Sequence, residues 1–284
     1  MDTAILFANT VYDSAIVFYS SLFILGTVLG SFLNVVIYRL PLMIKREINA
    51  SYYSETPDSD AISLGLCLPS SHCPNCQQSL SYWQKIPLLS WLLLRGKCFY
   101  CRHKISLRYP AIELTYGCSL LLLTMTFTTP YSLICAAIFI WLLLALTVID
   151  IQTYLLPDCL TLLLLWLGLL INSVAINDAL KNSVYGAVAG YSALWLLNYC
   201  FRQMMQQDGL GYGDFKLLAA LGAWLGWQKL PMLCTIAAFT GLLFVVIRWR
   251  YDRKSETLPF GPHLALAGCV LYIGQQENAY WPIG

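Results

Sequence analysis

Two aspartates stand where apolar runs begin or end. Asp150 closes one in Leu146-Thr-Val-Ile-Asp150-Ile-Gln-Thr-Tyr-Leu-Leu-Pro-Asp158, and Asp214 opens another in Asp208-Gly-Leu-Gly-Tyr-Gly-Asp214-Phe-Lys. A carboxylate at membrane depth is expensive and marks function by default. Two carboxylates brought close cannot both ionise easily, so they share a proton. One then acts as base on a water, and the other as acid toward a carbonyl oxygen or a leaving amine. That is the chemistry of aspartic peptide hydrolysis. Taken singly, each Asp has a plainer reading, as a residue that flanks a helix at the interface. Gly209, Gly211 and Gly213 permit positive φ and close backbone approach, so an extended peptide can lie against that loop. Asp158, after Pro157, reads as a helix N-cap. Asp208 reads as a solvated loop residue. Glu113, three residues after Pro110, is expected in the first turn of a helix, where it complements the dipole.

A second constellation is Cys73-Pro-Asn-Cys76 and Cys98-Phe-Tyr-Cys101, two CxxC pairs with 21 residues between them. Four thiolates can close a tetrahedron around Zn²⁺ at about 2.3 Å. The gap is at the long edge of the usual knuckle spacing. In a reducing compartment disulfides are disfavoured and a structural metal accounts better for the pattern; a redox or reduced-thiol module is the other reading. His72 and His103 flank the pairs and read as ordinary loop histidines, since four cysteines already fill a structural site. The other seven Cys are scattered, mostly in apolar runs, where free Cys is a normal small buried residue.

The background to these residues is apolar. Of 284 residues, 58% are hydrophobic and 11% charged, against about 25% charged in a soluble domain. That excludes a compact soluble globule, disorder, collagen and coiled coil. A net charge of +2 gives no case for a nucleic-acid partner, and Cys is too sparse for a disulfide scaffold. The expected architecture is an all-α polytopic membrane protein with about eight transmembrane helices, near 15–37, 111–127, 132–149, 159–171, 184–201, 215–227, 232–247 and 260–273. The first run lacks the basic flank and cleavage site of a signal peptide. Residues 38–110 carry Arg39, Lys45, Arg46, Lys85, Arg95, Lys97, Arg102, Lys104 and Arg108, so the positive-inside rule makes this region cytoplasmic and both termini external. Threading then brings Asp150 and Asp214 to the same cytoplasmic face. Three parts are expected: an N-terminal transmembrane helix (1–37), a cytoplasmic region with the four-cysteine zinc-binding module (38–110) and a transmembrane aspartic peptidase domain (111–284). Within the second, 45–65 is polar and reads as a mobile insertion.

The chain resembles the type IV prepilin peptidases, bifunctional leader peptidases and N-methyltransferases of the bacterial inner membrane. The likeness runs through Gly30-Ser-Phe-Leu-Asn-Val-Val-Ile-Tyr-Arg-Leu-Pro41, both CxxC pairs, Ile86-Pro-Leu-Leu-Ser-Trp-Leu-Leu-Leu-Arg-Gly-Lys-Cys98 and Ile105-Ser-Leu-Arg-Tyr-Pro-Ala-Ile-Glu113. It continues in Ile149-Asp150, Leu156-Pro-Asp158, the GxGD signature within 209–226, and Pro259-Phe-Gly-Pro-His-Leu-Ala-Leu-Ala267. The resemblance implies a GxGD-type intramembrane aspartic protease with Asp150 and Asp214 catalytic. It implies cleavage of prepilin-like or pseudopilin precursors after a Gly at the cytoplasmic membrane face, removing a short basic leader. It implies methylation of the new N-terminal residue, commonly Phe, with S-adenosylmethionine, and zinc on Cys73, Cys76, Cys98 and Cys101. Many members carry a second acid two residues after the first catalytic Asp; here that residue is Gln152. No soluble-type Gly-rich cofactor loop is visible. A peptidase without the methyltransferase is the nearest alternative, and the CxxC region favours two activities. A membrane thiol redox or metal-handling protein would need its thiols facing an oxidising compartment or lining a conduction path, whereas the charge pattern puts them inside the cell. A purely structural membrane subunit leaves the glycine-rich Asp214 loop without a purpose.

Overall fold

A computed structural model of the chain describes residues 2–53, 65–66, 68–174, 178–206, 211–251 and 259–276. Helices dominate, and among the described residues there is no strand, only two isolated β-bridges. The elements in order are α1 (Asp2–Tyr53), a 3₁₀ turn (Tyr82–Lys85), α2 (Leu89–Leu93), α3 (Arg108–Thr126), α4 (Pro130–Thr153), α5 (Asp158–Val174), α6 (Ala179–Met205), α7 (Tyr212–Leu225), a second 3₁₀ turn (Trp227–Lys229), α8 (Leu230–Tyr251) and α9 (Gly261–Gln276). Each expected apolar run falls largely on one helix, although 215–227 runs past the end of α7 at Leu225. Three stretches are long and apolar enough to cross a membrane: Ala15–Asn49, Pro130–Thr153 and Trp227–Arg250. The chain divides into two units, Met1–Ala137 and Ile138–Gly284.

In the first unit α1 packs along α3 through small residues. A Cβ on Gly26 would lie 2.8 Å from the Gly117 Cα, and one on Gly30 would lie 2.8 Å from the Glu113 Cα. Glycines four apart let two helix backbones approach where lipid offers no hydrophobic drive for association. Beyond the expected span end at 37 the helix does not stop: α1 continues through Pro41 to Tyr53, so 45–53 is helix and not a mobile insertion. Pro41 removes one backbone donor, but Lys45, Arg46 and Glu47 are good helix formers and carry the helix on. The 35-residue stretch Ala15–Asn49 is about 52 Å long at about 1.5 Å per residue, well beyond a hydrocarbon core of about 30 Å. Residues 54–64 lie outside the described ones. Arg39 is buried and donates to the carbonyls of Gly65, Leu66 and Pro69 at 2.9, 3.2 and 2.6 Å, tying the start of the cysteine-bearing region to α1.

The Glu113 expectation is also corrected. Because Pro110 is compatible with a first turn, α3 begins at Arg108 and Glu113 lies beyond that turn. Its buried carboxylate accepts the Leu88 backbone N–H at 2.9 Å. It holds the residue that precedes α2 and does not serve the α3 dipole.

In the second unit α7 is the centre, buried continuously from Asp214 to Leu225 except at Lys216. Gly186 and Gly190 of α6 lie against the Gly222 and Leu218 backbones. From α5, the Leu164 carbonyl accepts the Trp224 indole N–H at 2.8 Å, and the Asn172 amide donates to the Ala223 carbonyl at 3.0 Å. Phe139, Trp224 and Tyr272 form an aromatic cluster with centroids 4.6 to 5.6 Å apart, which joins α4, α7 and α9. A 14-residue helix is about 21 Å long, so its neighbours shield it along its length and fix where its first turn sits.

Candidate functional site

The first turn of α7 carries Asp214, and the last turn of α4 carries Asp150. Both carboxylates are nearly buried, 9% and 5% exposed. They line one cavity of about 250 Å³ with Tyr154, Leu155, Leu156, Asp158, Gly211, Tyr212 and Gly213. The Gly261 backbone N–H, at the start of α9, donates to Asp150 Oδ2 at 3.1 Å. A Cβ at 261 would come within 2.5 Å of that oxygen, so only glycine leaves the bond intact. The Asp214 N–H donates to the Gly211 carbonyl at 3.1 Å, which fixes the turn into α7.

The glycine loop differs from expectation. Gly211 is extended (φ −73°, ψ 141°), and Gly213 lies within α7. What demands glycine at 213 is space: a Cβ there would lie 2.8 Å from the Leu156 Cβ. Asp208 and Gly209 lie outside the described residues.

Asp158 is corrected too. It makes no capping bond. It stands in the first turn of α5 and pairs with Lys216 Nζ at 2.6 Å on the rim of the aspartate cavity. Its side chain is 61% exposed, and an exposed ion pair contributes about 0.2–1 kcal/mol. Asp158→Asn is therefore expected to slow the site's chemistry by less than about tenfold at normal membrane levels. Complete loss in the same assay would give Asp158 a direct part in the reaction.

Sequence reading missed Gly261 and Tyr154. Tyr154 follows the end of α4 in the left-handed region (φ 53°), which a non-glycine residue adopts only at a cost. That turn aims Tyr154–Leu156 into the cavity. Gln152 presents a buried amide nitrogen with no hydrogen-bond partner among the described residues.

The four cysteines converge as well. Their Sγ atoms all lie within 4.8 Å of one another, and those of Cys73 and Cys101 are 3.8 Å apart. A tetrahedron with Zn–S of about 2.3 Å has an S···S edge of about 3.8 Å. The two CxxC turns are built alike. Gln77 N–H donates to the Cys73 carbonyl and Arg102 N–H to the Cys98 carbonyl. Cys73 N–H donates to the Gln78 carbonyl and Cys98 N–H to the His103 carbonyl. Gln77 and Arg102 both take positive φ, 57° and 58°. The His103 backbone and then the Asn75 amide hold the Cys101 thiol down at about 6. Cys76 goes the other way, to about 11: the Gln78 backbone pulls it down, but burial and the thiols of Cys101, Cys73 and Cys98 push it up. A bound divalent cation would relieve that crowding. His72 turns to the Ser70 carbonyl, and neither His72 nor His103 joins the cluster.

Fold and site together define a helical membrane protein with a paired-carboxylate cavity and a four-cysteine cluster. The chain belongs to the type IV leader peptidase family. Residues 24–127 match the bacterial peptidase A24 N-terminal domain, and residues 137–246 match the type IV leader peptidase family. The chain is 43% identical over 271 residues to a prepilin leader peptidase/N-methyltransferase of Aeromonas salmonicida (strain A449), covering 93% of each. It is 47% identical over 254 residues to one of Pectobacterium carotovorum subsp. carotovorum, 88% of this chain and 91% of the relative. With one of Dickeya chrysanthemi it shares 46% over 271 residues, 94% and 95% of the two. No solved structure matches.

Proposed function

We propose that the chain acts as its relatives' names say, as a prepilin leader peptidase and N-methyltransferase. The observation that carries the hydrolytic half is the meeting of the nearly buried Asp150 and Asp214 in one cavity. The ionised carboxylate takes a proton from a water held between the two, and the oxygen attacks the scissile carbonyl. The protonated partner gives its proton to the carbonyl oxygen. As the tetrahedral intermediate collapses, the leaving amine takes up a proton and becomes the new N-terminus. S-adenosylmethionine, when bound, would supply the methyl group that this new amine receives in exchange for a proton.

Eight helices cross the bacterial inner membrane in this proposal, with both termini outside and the aspartate cavity at the cytoplasmic face. Cleavage after a Gly that ends a basic leader fits that placement, because the positive-inside rule holds a basic leader in the cytoplasm. Cys73, Cys76, Cys98 and Cys101 hold a structural zinc, supported by the sulfur spacing and the paired turns. The expected content is about one zinc per chain, lost from Cys73→Ser and Cys98→Ser on metal analysis. Purified wild-type protein without zinc would contradict the assignment.

The whole reaction is tested by incubating the purified protein with a prepilin and S-adenosylmethionine, then reading the product's N-terminus by mass spectrometry. The expected product starts just after the leader and carries one added methyl group. An uncut precursor would overturn the peptidase, and a cut but unmethylated product the methyltransferase.

A further inference from the structure

Between the two CxxC pairs the chain folds back onto α1 and α3. Leu88, at φ 57° just before α2, donates its N–H to the buried Glu113 carboxylate at 2.9 Å. Glu113 belongs to the apolar run 111–127. It stands level with Gly30 of α1, where an added Cβ would lie 2.8 Å from the Glu113 Cα. From Gly30 to Ile37, where the apolar run of α1 ends, is about 10 Å of helix axis at about 1.5 Å per residue. With α1 and α3 across the bilayer, Leu88 therefore sits at the level of their apolar runs. Water is scarce there and an unpaired N–H is costly, and the α3 carboxylate removes that cost. The turn that follows pairs its own backbone: the N–H groups of Ser90, Leu92 and Leu94 donate to the carbonyls of Ile86, Leu88 and Ser90.

At this level α2 turns three leucines outward. Leu89, Leu92 and Leu93 share one helix face and are 58%, 63% and 75% exposed. The residue between them faces the cysteine module: the Trp91 indole N–H donates to the Ile105 carbonyl at 3.4 Å, and its ring lies against Gly96. Exposed cations flank the leucines, Lys85 before and Arg95 after, with Tyr82 and Trp83 exposed beside Lys85. A five-residue helix is about 8 Å long, far short of a hydrocarbon core of about 30 Å. We propose that the leucine face of α2 is embedded in the cytoplasmic leaflet, with Lys85 and Arg95 on its phosphates, and anchors the four-cysteine module to the membrane surface. The proposal rests on the reading of α1 and α3 as membrane spans, and it takes α2 out of the aqueous part of 38–110. Lipid is the occupant because the contacts to Glu113 and through it to Gly30 set the depth, and because the flanking charges complement anionic headgroups. Long basic stems reach the phosphates while the leucines stay in hydrocarbon, and aromatic rings belong at that boundary.

The test uses the full wild-type chain in vesicles of phosphatidylcholine and phosphatidylglycerol whose acyl chains carry a photoreactive diazirine. Adducts are mapped by peptide mass spectrometry. They are expected on Leu89, Leu92 and Leu93, as on the exposed Leu122 of α3, and not on Gln77, which is exposed in the first CxxC turn. Adducts on Leu122 with none on the α2 leucines, or equal adducts on Gln77, would overturn the anchor while leaving α3 a span. No adduct on Leu122 would overturn the span reading, and the anchor with it. A p-benzoylphenylalanine probe in place of Leu92, with a prepilin added, then identifies the neighbour. Phospholipid is the expected product. Capture of a second copy of the chain, or of the prepilin, would give this face to protein and overturn the lipid assignment.

Discussion

Asp150→Asn and Asp214→Asn are each expected to lower prepilin cleavage by at least about 10³-fold, with the protein still folded in the membrane. Asn matches Asp in size but neither takes nor gives a proton, so either change leaves one carboxylate without its partner in the acid–base exchange. The substitution removes a charge from a nearly buried site, so it introduces no new unpaired charge. Methyl transfer to a pilin already freed of its leader is expected to continue, since it uses no step that the pair performs. Labelled S-adenosylmethionine with a pre-cleaved pilin separates the two activities. Near wild-type cleavage by either variant would remove that carboxylate from the mechanism.

Gly261→Ala carries the second large effect. The added methyl would meet Asp150 Oδ2 at 2.5 Å, and the backbone N–H that now donates to that oxygen at 3.1 Å would be displaced. A hydrogen bond to a charged group contributes about 1.5–3 kcal/mol, so a fall of about 10–10²-fold in kcat is expected. KM is expected to hold, because Gly261 does not line the aspartate cavity. A variant that cleaves at the wild-type rate would show that Asp150 does not depend on this donor for its orientation. Glycine here serves close approach, whereas Gly213 serves the packing of Leu156 against α7.

The two aspartates and four cysteines were legible because their signals are local. An Asp at the edge of an apolar run and a pair of cysteines with two residues between them declare themselves in a few positions. The helical architecture was legible for the same reason, as runs of apolar residues. The contacts that were not legible join distant positions. The Gly261–Asp150 bond spans 111 residues and the Lys216–Asp158 pair 58, and both depend on how α4, α5, α7 and α9 pack. Asp158 shows the difference: a residue after a proline suggests a cap, but the partner is set by α7. Glu113 misled in the same way, since its acceptor role depends on where residues 86–88 fold back onto α3. Polarity in 45–53 suggested a loop, yet α1 shows that charged residues of high helix propensity extend an apolar helix beyond its apolar run.

The pairing itself is tested most directly by single-turnover cleavage of one prepilin by wild type, Asp150→Asn, Asp214→Asn and the double variant. Residues that act as a unit are strongly non-additive. If the two carboxylates work on one water, all three variants fall to the same floor. A double variant far slower than both singles, or a single that keeps the wild-type rate, would mean that Asp150 and Asp214 do not act as a pair.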